Sequence, residues 1–175
     1  GWSLGGGVAI FSGWLPLIEK INAQNSFAAH LSIYPPCIAQ PRNPIFTNAP
    51  MHILIGELDN WVPASACKEL SEIAEQAGSK IGITIYPESH HSFDRESAIT
   101  VKKNAYKTVD CRFEIRDDGA VLMSFLNIPM TTPIRQKIGL GLCAGKGPTM
   151  GGNPKYREAS FKFANQFMVK HLLSQ

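Results

Sequence analysis

Gly1-Trp2-Ser3-Leu4-Gly5 sets a serine between two glycines, each two positions away. The spacing suits a nucleophile. A serine on a very tight strand-to-helix turn holds its hydroxyl out toward solvent, and small residues on either side let the backbone turn that sharply. A helix starting directly after it aims unpaired amides at developing negative charge, so the Leu4 N–H is read as one oxyanion donor. A serine also needs a base, and the base needs a group to orient it. Asp59 follows in G-E-L-D-N-W-V-P at 56–63 and His91 in P-E-S-H-H-S-F-D at 87–94. Taken singly, Ser3 is also compatible with an ordinary glycine-rich turn, Asp59 with a loop cap and His91 with a surface histidine. Their order (serine, acid, histidine) and their positions relative to the intervening strands favour a catalytic set. Trp2, Trp61 and Phe93 adjoin the three and are read as candidate walls of an acyl or alcohol pocket.

Such a set works only if the chain positions it. Residues 1–7 read as a turn, and 8–23 as a helix interrupted at Pro16. Residues 27–34 alternate Ala29, Leu31 and Ile33 against His30, Ser32 and Tyr34, the period of a half-buried strand. Five prolines in 35–50 predict a loop. The run 51–55 reads as a buried strand, 65–78 as a helix stopped by Gly78, and 81–86 as a strand. Strand, helix and strand in this succession imply a parallel sheet. Asp59 and His91 then stand just past the carboxyl ends of two strands, where open α/β sheets build their sites. Beyond His91 the pattern changes. Residues 111–115 and 120–125 read as a hairpin around Asp118-Gly119, 131–142 as a helix and 139–152 as a glycine-rich loop. Asn153-Pro154 caps a last helix whose Phe163/Phe167 and Ala164/Met168/Leu172 rows are expected in the core.

Other chemistries find little support. Gly139–Ala144 formally fits G-x-G-x-x-A but follows a helix rather than a strand, and Gly145-Lys146-Gly147 lacks the Ser/Thr of a phosphate loop. Adjacent His90 and His91 do not aim at one ion, and no cysteine pair has zinc-site spacing, so no metal or cofactor is called for. The 175 residues, 44% of them hydrophobic, carry a net charge of +3, too small to imply a nucleic-acid or membrane partner. That charge is uneven: residues 1–94 hold 4 Lys/Arg and 8 Asp/Glu, residues 95–175 hold 13 and 6. The cations are dispersed, as on a solvated surface. No stretch reaches the roughly 18 to 20 apolar residues of a membrane span. Cys37, Cys67, Cys111 and Cys143 permit two disulfides or four reduced thiols. Two lie in the first segment and two flank the later one, which inclines the reading to Cys37–Cys67 and Cys111–Cys143 and to a periplasmic or secreted protein over a cytoplasmic one.

The segment 1–94 resembles the dienelactone hydrolase family of α/β-hydrolases, on G-W-S-L-G-G-G, Y-P-P-C at 34–37, L-I-G-E-L-D-N-W-V-P-A at 54–64 and Y-P-E-S-H-H-S-F-D at 86–94. The resemblance places the family's aspartate on Asp59 and its histidine on His91. Family enzymes that open dienelactone rings carry cysteine where Ser3 stands, so general ester or lactone hydrolysis of a small molecule is the expected activity. The resemblance implies one incomplete α/β-hydrolase domain beginning at the nucleophile turn, a parallel sheet with flanking helices. Residues 1–94 would hold the catalytic motifs, 95–153 a hairpin-containing insertion and 154–175 a closing helix. On this reading the second oxyanion donor lies outside the chain and Ser3 stands at a fraying end. The alternative is a catalytically inactive fragment serving as a structural or interaction unit.

Overall fold

The computed structural model describes residues 1–173. Its first elements are helices α1 (Leu4–Phe11) and α2 (Leu15–Lys20). The single helix expected over 8–23 is therefore two, and the expected glycine turn at 1–7 is half helical. Pro16 sits in the first turn of α2, where its missing N–H removes no helical bond; the break falls before it, at 12–14. Strands β1 (His30–Ile33), β2 (Ala39–Pro41), β3 (Met51–Gly56) and β4 (Gly82–Tyr86) follow, with α3 (Ala64–Gln76) between the last two. The proline-rich 35–50 stretch thus holds a short strand as well as loop. Strands β1, β3 and β4 form a parallel sheet with β3 in the middle, in register Ile53 with Ser32 and with Ile83.

Burial follows from that order. Ile53, Leu54 and Ile55 of β3 are completely buried, as expected of a strand covered on both faces. All four residues of β1 are buried too, so the predicted polar face is absent. Helix α1 lies against it: Ser32 Oγ donates to the Gly6 carbonyl (2.9 Å) and His30 Nδ1 bonds the Ala9 carbonyl (2.8 Å). Gly6 permits the approach, since a Cβ there would lie 3.1 Å from the Ile33 carbonyl oxygen. On β4, which among the described residues pairs only with β3, Ile83 is half-buried and Ile85 is 40% exposed. Helix α3 packs on β3 and β4 through Ala66, Cys67, Leu70 and Ala74 and stops at Gly78, whose φ of 84° suits glycine.

The remaining chain runs through β5 (Thr100–Val101), β6 (Tyr106–Lys107), β7 (Phe113–Ile115), β8 (Val121–Leu122), α4 (Pro133–Gly141), β9 (Gly145–Lys146), β10 (Thr149–Met150) and α5 (Pro154–Met168). The β7–β8 hairpin turns at Asp118-Gly119, and β7 also pairs in parallel with β2. Strands β9 and β10 occupy part of the predicted glycine loop, pairing with β6 and β5. Disulfides join Cys37 to Cys67, tying the loop after β1 to α3, and Cys111 to Cys143, tying the approach to β7 to the end of α4. Asn153 caps α5 by accepting from the Tyr156 N–H. Phe163, Ala164 and Phe167 pack on the core, whereas Met168 and Leu172 stay 36% and 47% exposed. A π-helical turn, Val169–Leu173, follows. Among the described residues no helix is long and apolar enough to cross a membrane.

Candidate active site

Ser3 is positioned by β1 and α1. The Gly1 carbonyl accepts from the Ile33 N–H and the Ser3 N–H donates to the Ile33 carbonyl, both at 2.9 Å, with Trp2 bridged in parallel to Ile33. The segment 1–3 is therefore held as an extension of the sheet rather than fraying. Ser3 then turns at φ 49°, ψ −119°, a left-handed conformation strained for any residue with a Cβ. Gly1 makes the turn possible: a Cβ there would stand 2.1 Å from the Gly5 carbonyl oxygen. Gly5 has open space about its own missing Cβ, so only one of the two flanking glycines answers to contact here. The first helical bond runs from the Gly7 N–H to the Ser3 carbonyl. The amides of Leu4, Gly5 and Gly6 precede that ladder.

Asp59 lies on the turn after β3 and His91 on the loop after β4; both residues are buried, at 3% and 4% exposure. The Gly56 carbonyl accepts from the Asp59 N–H, and the Leu58 N–H donates across to the Ser89 carbonyl, tying the two loops together. Asp59 Oδ1 accepts from the Trp61 and Val62 amides, each at 2.9 Å, leaving Oδ2 for His91 Nδ1 at 2.7 Å. A carboxylate so placed holds the proton on Nδ1 and leaves Nε2 a free acceptor. The Ser3 hydroxyl donates to that Nε2 at 3.1 Å. The imidazole lies between Tyr34 and Trp61, with ring centroids at 4.6 and 5.1 Å. From behind, the His91 carbonyl accepts from the Gly151 N–H beside β10. The later segment thus braces the histidine.

The three aromatic wall candidates separate. Trp2 is half-exposed beside Ser3 and Trp61 is partly buried against the imidazole. Phe93 is completely buried, packed edge-on against Tyr34 and Tyr86; it supports the site from beneath instead of walling it. His90 turns away toward the Leu58 carbonyl. Sequence reasoning passed over two residues, although both stand inside the quoted motifs. Tyr34, of Y-P-P-C, is buried at φ 41°. Burial first, then the hydrogen bond and charge of Asp94, push its phenol well above the ordinary value, so it stays a donor. Asp94, of S-F-D, accepts from both Tyr34 and Trp2. Among the described residues no group of three or more His, Cys, Asp or Glu side chains is arranged to hold a metal ion.

The arrangement can deprotonate a hydroxyl as it attacks an acyl carbon and return the proton to the leaving group. A family model described as the dienelactone hydrolase family matches residues 11–113, a span that includes Asp59 and His91 and begins after Ser3. No curated protein and no solved structure matches the chain.

Proposed function

The chain belongs to the dienelactone hydrolase family and is a hydrolase acting on a small molecule, and from that premise we propose that it cleaves carboxylic esters or lactones through Ser3, His91 and Asp59. The observation that carries the proposal is the hydrogen-bonded line from Ser3 Oγ through both imidazole nitrogens to Asp59, beginning at a serine in a strained turn. Ser3 Oγ attacks the acyl carbon while His91 Nε2 takes its proton. The imidazolium so formed is stabilised by Asp59 and gives the proton to the departing alcohol. Water repeats the sequence on the acyl-enzyme and restores Ser3. The Leu4 amide, at the start of α1, donates to the carbonyl oxygen as it gains charge. Serine in place of cysteine favours ordinary esters and lactones over dienelactones, and Trp2 and Trp61 flank the acyl or alcohol group. Two disulfides favour an oxidising compartment, periplasmic or extracellular.

The test is hydrolysis of p-nitrophenyl acetate together with labelling by a fluorophosphonate. Ser3→Ala abolishes both, and mass spectrometry finds the parent's adduct on Ser3. Asp59→Asn keeps the fold and lowers kcat on the order of 10⁴-fold, the effect of a wrong imidazole tautomer. An adduct on another serine such as Ser92, or undiminished turnover in Ser3→Ala, would overturn the assignment to Ser3, and a parent chain with neither turnover nor adduct would favour a chain without this activity.

A further inference from the structure

Asp94 takes no part in the proton path just described, yet its carboxylate is engaged at both oxygens. Oδ2 accepts from the Trp2 indole N–H at 2.8 Å and Oδ1 from the Tyr34 hydroxyl at 2.7 Å. The three residues are far apart in sequence and belong to three different pieces of the site. Trp2 immediately precedes the nucleophile, Tyr34 directly follows β1, and Asp94 sits three residues past His91. The backbone is unusual at each piece, with positive φ at Ser3, Tyr34 and Ser92. Such conformations persist only where the surroundings over-determine them. Tyr34 also lies against the imidazole, and the half-exposed Trp2 ring has its polar edge tied down by this one carboxylate.

We propose that Asp94 is a positioning residue that locks Trp2 as a rigid wall beside Ser3 and holds Tyr34 against His91, so that nucleophile turn and histidine loop keep one geometry. The inference rests on the triad reading above. Its chemistry constrains the substitutions that test it. An indole N–H only donates, whereas a tyrosine hydroxyl can donate or accept. An asparagine at 94 can therefore keep both bonds, its oxygen accepting from Trp2 and its amide donating to Tyr34 Oη. Alanine keeps neither. With the acceptor gone, the Trp2 ring is free to leave the position that contacts a bulky acyl group, while a two-carbon acyl group has little to lose.

The experiment compares Asp94→Ala and Asp94→Asn with the parent chain on p-nitrophenyl acetate and p-nitrophenyl benzoate, measuring kcat and KM separately. Asp94→Ala is expected to lose about tenfold or more in kcat/KM on the benzoate, the scale of losing charge-assisted hydrogen bonds. The loss should be carried substantially by KM and be clearly smaller on the acetate. Asp94→Asn should stay within about threefold of the parent on both. A purely structural role would lower the active fraction seen by fluorophosphonate titration and leave KM and the ratio between substrates unchanged; that result overturns the inference. Trp2→Phe and Tyr34→Phe, each removing one donor, provide the same readout should Asp94→Ala fail to fold. Parental ratios in both would equally overturn it. Failure of the triad reading is separate, since it shows as activity surviving in Ser3→Ala.

Discussion

Gly56→Ala should damage the site without touching any residue that does chemistry. Gly56 ends β3, three residues before Asp59, and a Cβ there would lie 2.2 Å from the Ser89 carbonyl oxygen and 2.7 Å from its carbon. Ordinary contact begins near 3.4 Å, so one strand end must move about 1.2 Å relative to the other, more than a packed interior absorbs freely. The Ser89 side cannot yield alone. Its carbonyl accepts from the Leu58 N–H, and its hydroxyl is held between the Pro87 carbonyl and the Asn153 amide. The displacement therefore passes to His91, two residues on, and to its 2.7 Å bond with Asp59. Stretched by about 1 Å, that contact is no longer a hydrogen bond. Misplacement on that scale lowers turnover about 10²-fold, and the upper limit is the 10⁴-fold of losing the acid's hold altogether. Overpacking should also remove about 1–3 kcal/mol of stability. Initial rates on p-nitrophenyl acetate and a urea melt read the two effects separately. Turnover within about threefold of the parent would refute the argument that Gly56 sets the spacing of the two loops.

Two further perturbations probe the parts that hold the site. Burial pushes the His52 imidazole down to about 4, and it lowers His30 as well. The unfolded chain takes up these protons near pH 6.5 and the folded chain only lower, so stability is full above 6.5 and declines as pH falls from 6.5 toward 4. Urea midpoints at pH 7, 5.5 and 4.5 should show that decline, reduced in His52→Gln; an equal decline in both would exclude His52 as a source. Breaking Cys111–Cys143 by the double serine variant opens a loop closed over a separation of 32 residues, which corresponds to about 3–4 kcal/mol in the chain-entropy account. Denaturant midpoints read this directly, and an unchanged midpoint would show that the crosslink does not stabilise the fold.

Features made by neighbours in sequence are legible in the amino-acid order itself. Asp118-Gly119 turns a hairpin, Gly78 stops α3 and Asn153 caps α5 because each signal acts within four or five residues. The order serine, acid, histidine was equally open to reading, and with it the succession of strands that carries Asp59 and His91. Contacts made across the fold were not. The stretch 8–23 looks like one helix until α1 must lie on β1 and α2 must turn away. His30 and Ser32 look solvent-facing until the Ala9 and Gly6 carbonyls of α1 supply their partners. Phe93, two residues past the motif histidine, looks like a wall until the rings of Tyr34 and Tyr86 pack against it and it is buried.

Periodicity, caps and turns are local, so residue order alone specifies which side chains are available for chemistry and at which strand ends they stand. The 3.1 and 2.7 Å contacts that join Ser3, His91 and Asp59, and the carboxylate of Asp94 shared by Trp2 and Tyr34, exist only once the chain has folded. Those distances depend on how closely three separate loops approach one another. That approach is set by glycines, buried strands and crossing hydrogen bonds far apart in the chain, and no local pattern encodes it.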